Sequence, residues 1–180
     1  CVGLVIETRP DCSDLKYANF LLELGCTRVE LGVQSTDDRI LDKINRGHSV
    51  QDSINAIRLL KDLGFKINLH YMIGLPGSTR DQDLKGLNEL FNNPNFRPDM
   101  IKIYPCLVTK GTKLYDEWKN GKYNPLSAKQ AADIIIQFKK SVPRYVRIMR
   151  IQRDIPMKYI VAGLDIGNLR EVLQREALIR

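Results

Sequence analysis

RVELGVQS, residues 28–35, places Val29, Leu31 and Val33 on one side of an extended chain and Glu30, Gly32 and Gln34 on the other. Taken alone, that alternation describes a strand with one face in water. Its flanks argue against this. A helical pattern ending at Leu24-Gly25 precedes the stretch, and another opening with Ser35-Thr36-Asp37 follows, which is β/α alternation. Strands in such units are covered on both faces and run apolar throughout. Glu30 and Gln34 therefore need a polar interior to face.

The same grammar recurs along the chain. Extended runs at Val2–Thr8, Arg28–Gln34, Lys66–Ile73, Met100–Pro105 and Tyr145–Gln152 are each followed by helical signals at the spacing of βα units. In SDLKYANFLLELG, Ser13 is the expected N-cap and Gly25 the stop, with Leu15, Ala18 and Leu22 as the buried stripe. HSVQDSINAIRLLKDLG sets Ser49 and Asp52 at capping-box spacing and lines up Val50, Ile54, Ile57 and Leu60. A third helix follows GLPGST, and a fourth begins at Ser127 and stops before Pro143. TKGTKLYDEWKNGKYNPLS reads as a loop with a short helix, long enough to be functional.

Periodicity alone leaves an open doubly wound sheet and a (β/α)8 barrel both available. The polar faces favour the barrel. Asn68, His70 and Met72 alternate with Ile67, Leu69, Tyr71 and Ile73, while Lys102 and Tyr104 alternate with Ile101 and Ile103. Several strands thus share one apolar face for helices and one face that turns polar toward the C-terminal end, where barrel sites lie. The expected fold is α/β: a partial TIM-type barrel of about five βα units over residues 1–154, with a C-terminal helical extension over 155–180. Its missing units are expected to come first, because the chain opens at Cys1 directly in a strand, as if inside a larger protein.

Composition narrows the class. With 180 residues, 43% of them hydrophobic, the chain can build a core, and it contains no run long enough to span a membrane. A net charge of +7 permits an anionic partner, nucleic acid included, without naming one. Cys1, Cys12, Cys26 and Cys106 show no metal-binding spacing, so no metal site is read from them. They fit buried thiols in a reducing, cytoplasmic setting.

Glu7 and Gln34 end two of the strands. A carboxylate accepts hydrogen bonds from a ribose diol and a carboxamide both donates and accepts, so the pair suits a nucleoside-like ligand. Arg46 can grip a ligand carboxylate with its planar fork. Each residue has a plainer alternative: Glu7 paired with Arg9, Gln34 beside a helix cap, Arg46 solvated. Lys139, Lys140, Arg147 and Arg150 gather around the last strand and offer contacts to RNA phosphates, against a solvated or buried-paired alternative.

IETRPD, RVELGVQS, NRGHS and HYMIGLPGST together resemble the second half of a radical S-adenosylmethionine (SAM) barrel, of the branch that includes the oxygen-independent coproporphyrinogen oxidase. With KIYPCLVTKGTKLYDEWKNGKY and VRIMRIQRDIP…GLDIGNLRE added, nearly the whole chain resembles the Elp3 family, the catalytic subunits of Elongator. The resemblance implies S-adenosylmethionine as cofactor, with Glu7, Gln34, Arg46 and His70 as its contacts, and His70 standing where the porphyrin branch has an acid. It further implies a 4Fe-4S cluster, acetyl-CoA handled by an acetyltransferase domain, tRNA wobble uridine as substrate, and other Elongator-like subunits as partners. A cluster-binding cysteine loop and an acetyltransferase-like stretch are not in this sequence, so the chain alone is expected to be inactive. Two other readings stay open: a non-catalytic RNA-binding or subunit-docking module, and a porphyrin-branch homologue. The open edges of a five-stranded sheet add self-association as an expectation.

Overall fold

The computed structural model describes residues 3–164 and 168–179. Five strands form one parallel sheet: β1 (Leu4–Thr8), β2 (Cys26–Gln34), β3 (Lys66–Ile73), β4 (Met100–Pro105) and, after a short β5 (Val108–Thr109), β6 (Arg147–Arg150). Their order across the sheet is β1-β2-β3-β4-β6, the order in which they occur in the chain, and every pair is parallel. A doubly wound sheet reverses its strand order part-way, and this one does not. Right-handed crossovers that never reverse put the long connecting helices on one face, which is the arc of a barrel.

The apolar half of the alternation packs under those helices. Val29, Leu31 and Val33 of β2, and Ile67, Leu69 and Ile73 of β3, are fully buried. They meet α3 (Val50–Asp62), α4 (Arg80–Asn92) and α6 (Ala128–Lys139), whose Ile57, Leu60, Leu87, Leu90, Ile135 and Phe138 lie in the same core. Three helices open on capping boxes: Ser49 with Asp52, Thr79 with Gln82, and Ser127 with Gln130. Each box satisfies two amide hydrogens that a helix start otherwise leaves without partners. A shorter helix, α2 (Asp38–Lys43), follows β2, with Asp37 as its N-cap.

The first helix differs from expectation. α1 (Leu15–Glu23) is capped by Asp14, whose carboxylate accepts from the Tyr17 amide, while the Ser13 hydroxyl donates to the Arg9 carbonyl. Ala18 and Leu21 form its buried side, whereas Leu15 and Leu22 are exposed. The stripe keeps Ala18 but passes from Leu22 to its neighbour Leu21, one helical step of about 100° away. The last sheet strand is also shorter than the predicted Tyr145–Gln152 run, because Pro143 starts a turn that carries the chain to Val146.

The insert after β4 supplies β5 and α5 (Lys113–Lys119). β5 pairs antiparallel with β7 (Ile160–Ala162). α7 (Leu169–Ile179) follows, and Leu164, Leu169 and Leu173 are buried in the main core. Cys1, Val2 and residues 165–167, part of the GLDIGNLRE stretch, lie outside the described residues, as does Arg180.

Candidate functional site

The inner face of the sheet is built in two layers, read directly from the register. One row runs Glu7, Glu30, Asn68, Met100, Arg147; the next, nearer the C-terminal ends, runs His70, Lys102, Arg150. Glu30 sits in the lower row and its carboxylate reaches the upper one. Its Oε1 accepts from Asn68 Nδ2 at 3.1 Å, and its Oε2 accepts from His70 Nε2 at 2.8 Å and from the Lys102 ammonium. Glu30, Asn68 and His70 are all buried. Buried polar groups are tolerable when they satisfy each other: both Glu30 oxygens are engaged here, whereas Asn68 Oδ1 is buried without a partner. Burial alone would push the Glu30 carboxyl up, but hydrogen bonds from Lys102, His70 and Asn68 outweigh it and hold the group below its ordinary range. For His70 burial prevails over the attraction of Glu30 and Glu7, so its imidazole titrates below the usual 6.5 and is neutral at neutral pH.

Above this network opens a cavity of about 390 Å³, lined among others by Glu7, Gln34, His70, Lys102, Tyr104 and Arg153. Small-molecule sites are commonly of this size, from roughly 300 Å³ upward. Glu7 extends into solvent at its wall, with Oε1 3.4 Å from His70 Nδ1. It is not the partner of Arg9, which pairs with Asp11 at 2.6 Å. Tyr104 stands edge-on to His70, ring centres 5.6 Å apart.

Gln34 ends β2 in a left-handed conformation, φ 68°, at a register shift that pairs it with Tyr71. Few residues other than Gly adopt this conformation without strain, and such strain tends to mark functional positions. Its Oε1 is buried without a hydrogen-bond partner. Arg46 arrives from the NRGHS turn, where Asn45 and Gly47 both have positive φ and reverse the chain after α2. Arg46 Nη2 donates to the Gly32 carbonyl at 3.0 Å, and its buried Nε has no partner. A Cβ on Gly32 would lie 2.5 Å from Arg46 Nη2 and 3.0 Å from Gln34 Nε2, so the missing side chain is what admits both groups. Arg46 lies beside Gln34 rather than in the wall of the cavity itself.

The GLPG turn is architectural. Gly74 donates its amide to Asp83 Oδ2 at 2.7 Å, and its carbonyl accepts from the Tyr123 hydroxyl at 2.7 Å, which ties the turn to the aromatic insert.

The four basic residues expected at RNA do not form one cluster. Lys139 and Lys140 close α6, and Arg147 starts β6, so these three lie at the N-terminal edge of the sheet. Arg150 sits one layer higher, lines the cavity with Arg153, and pairs with Asp154 at 3.1 Å. A larger adjoining cavity of about 600 Å³ shares Arg150 and Arg153 and adds Arg170.

Cys12 is exposed, while Cys26 and Cys106 are buried apart, the first in the main core and the second in the small cluster with Tyr123. Among the described residues, therefore, the cysteines do not gather into a cluster-binding set, and those present do not fit a 4Fe-4S group. Glu7, Glu30 and His70 do bring ligand atoms within 4.8 Å of one another. The Lys102 ammonium already supplies the cation there. For an adenosine-bearing ligand the fit is better, since Gln34 Oε1 and Arg46 Nε are buried polar atoms lacking partners beside a cradle that a Cβ would fill.

Lys102, Asn68 and Glu30 were legible as inward-facing but carried no assigned role, because only the register brings them onto one another.

Residues 2–89 match the Radical SAM superfamily, and residues 98–178 match the Radical_SAM C-terminal domain. The chain belongs to the radical SAM superfamily. A tRNA uridine(34) acetyltransferase of Methanocaldococcus jannaschii is 51% identical to it over 175 residues, covering 97% of this chain and 32% of that protein. Elongator complex protein 3 of Dictyostelium discoideum is 47% identical over 173 residues, covering 96% and 31%. The structure of the archaeal Methanocaldococcus infernus Elp3 with an N-terminal deletion superposes with a TM-score of 0.96 at 50% identity, covering 99% of this chain and 42% of that one. This radical SAM chain thus spans about a third of the length of the curated relatives it matches. Membership of the superfamily implies S-adenosylmethionine and an iron–sulfur cluster as its cofactors. No helix among the described residues is long and apolar enough to cross a membrane.

Proposed function

We propose that this chain is the S-adenosylmethionine-binding part of an Elp3-like enzyme that modifies the wobble uridine of tRNA at C5, with acetyl-CoA as the source of the added group. The observation that carries the reading is the convergence of Glu7, Gln34 and His70 on one cavity, next to Arg46 and the bare Gly32, in a chain 51% identical to a tRNA uridine(34) acetyltransferase. Bound there, S-adenosylmethionine supplies the radical chemistry of the family.

The chain's own residues bind and orient. The Glu7 carboxylate accepts hydroxyl hydrogens, Gln34 Oε1 accepts and its amide donates, and the Arg46 guanidinium faces a ligand carboxylate. Arg150 and Arg153 place two guanidinium groups at the cavity for RNA phosphates to meet. Residues 155–180 serve as the extension toward an acetyltransferase domain. Alone, the chain binds S-adenosylmethionine without cleaving it, because the cluster's ligands are not gathered among the described residues. The whole protein works in the cytoplasm with tRNA and Elongator-like subunits.

Calorimetric titration of this chain with S-adenosylmethionine tests the reading. Saturable binding is expected, weakened about tenfold by Glu7→Gln and by Gln34→Ala, each of which removes one polar contact. No binding, or binding indifferent to both substitutions, would sink it.

A further inference from the structure

Glu30 lies beneath the cavity and is not part of its lining, yet the groups that do line it lean on it. An ionised carboxylate can only accept, so the imidazole nitrogen facing it must carry the hydrogen. His70 is therefore a donor at Nε2, 2.8 Å from Glu30 Oε2. In the neutral ring Nδ1 is then a bare lone pair, and it sits 3.4 Å from Glu7 Oε1. Two acceptors at that separation repel unless a donor stands between them or beside them.

We infer that Glu30 is a positioning residue that fixes His70 as the Nε2–H tautomer, so that His70 Nδ1 and Glu7 Oε1 form a twin acceptor for hydroxyl or ammonium hydrogens of the ligand, while the same carboxylate holds the Lys102 ammonium at the cavity floor. The identity of the ligand rests on the function proposed above, whereas the tautomer does not.

A metal ion between Glu7, Glu30 and His70 would need the electrons that Glu30 already shares with Lys102 and Asn68. The ionisable groups facing His70 and Glu30 are Glu7 from β1, Arg28 from β2, Lys102 and Tyr104 from β4, and Arg150 and Arg153 from β6 and the segment after it. Protonating His70 turns Nδ1 into a donor to Glu7 and closes the twin acceptor. Ligand affinity should accordingly fall in acid as His70 titrates, below the ordinary histidine range because burial lowers its pKa.

Long-range proton–nitrogen spectra of the isotopically labelled chain at about pH 7.5, where an unperturbed imidazole is already neutral, read the tautomer directly. His70 is distinguished from His48 by His48→Gln. The expected wild-type spectrum shows His70 protonated at Nε2 alone. Glu30→Gln, whose carboxamide can donate as well as accept, should mix the tautomers and weaken S-adenosylmethionine binding about tenfold. Glu30→Asp, which keeps the acid, should restore the Nε2–H form.

A wild-type His70 protonated at Nδ1, or a Glu30→Gln chain that keeps both its dispersion and a pure Nε2–H ring, would overturn the inference. The wild-type spectrum decides it even where the variant fails to fold. A wild-type chain with the expected tautomer that binds no S-adenosylmethionine would instead refute the function proposed above and leave the role of Glu30 toward His70 intact.

Discussion

At its centre the sheet is dry on both faces, and the two are stabilised in opposite ways. On the outer face Val29, Leu31, Ile67 and Leu69 are fully buried against helices. On the inner face Asn68 is as inaccessible as they are, and Glu30 and His70 nearly so. The outer residues contribute through area and packing density, which depend on shape but not on which neighbour provides it. The inner residues contribute only while each finds its particular partner, and one missing partner turns a stabilising group into a destabilising one.

The sharpest break in this comparison comes from the outer face. Leu69→Ala should cost about 3 kcal/mol in urea unfolding, the sum of lost burial and the cavity left behind. It should leave His70's tautomer and the ligand affinity of the folded fraction unchanged. Asn68→Ala, one residue away on the other face, should cost about 2 kcal/mol, because it strips a hydrogen bond from a buried carboxylate. Here ligand affinity should fall with stability. If Leu69→Ala moved the affinity and Asn68→Ala did not, the two faces would not be separable in this way.

How much of this was legible follows the same division. The outer face needs nothing but alternation, and Val29, Leu31 and Val33 announce it in eight residues. Capping boxes at Ser49 and Ser127 are equally local, so the helices they start were legible too. The cap of α1 was misplaced because Ser13 and Asp14 are both good caps and only the geometry after Pro10 chooses between them. On the inner face, residue types and direction could be read, but not who meets whom. Glu30 meets His70 and Lys102 across two strand boundaries, from residues 40 and 72 positions away in the chain. Register across three strands decides that, and no local pattern encodes it. The basic residues divide for the same reason, since proximity in sequence put Lys139 and Arg150 in one group while the fold sends them to different ends of a strand.

Gly32 sharpens the inner side of the comparison. Gly32→Ala pushes a methyl into Arg46 Nη2 and threatens its bond to the Gly32 carbonyl. A long side chain end can yield, so the stability cost should be only about 1 kcal/mol, one ordinary hydrogen bond. The loss should appear mainly in S-adenosylmethionine affinity, measured by calorimetry. Equal affinity in the two chains would remove Arg46 and Gln34 from the site together.

Acid offers a gentler probe. Burial lowers the pKa of both His70 and His48. The unfolded chain then binds protons that the native chain refuses, so the stability tied to these rings is fully present above their ordinary 6.5. It is lost as pH falls from there toward the lower native values. Melting temperature should therefore drop between about pH 7 and pH 5. The drop should shrink in His70→Gln and in His48→Gln. A melting temperature flat across that window would show that neither ring is held neutral by burial.

The smallest effects on stability belong to the exposed cations, and there the contrast becomes one between the two ends of the sheet. Arg150→Glu, at the cavity, and the double change Lys139→Glu with Lys140→Glu, at the far edge, should each alter stability by no more than about 0.5 kcal/mol, as exposed substitutions do. Their effects on tRNA should part company. Substrate approaching the cavity passes Arg150 and Arg153, so reversing Arg150 should weaken tRNA binding and flatten its dependence on salt by about one charge. Lys139 and Lys140 stand a strand's length away, beyond about one Debye length at physiological salt, and their reversal should leave that slope nearly intact. An equal loss from both ends would mean that RNA tracks along the whole outer edge of the last strand, and the cavity would lose its claim as the point of entry.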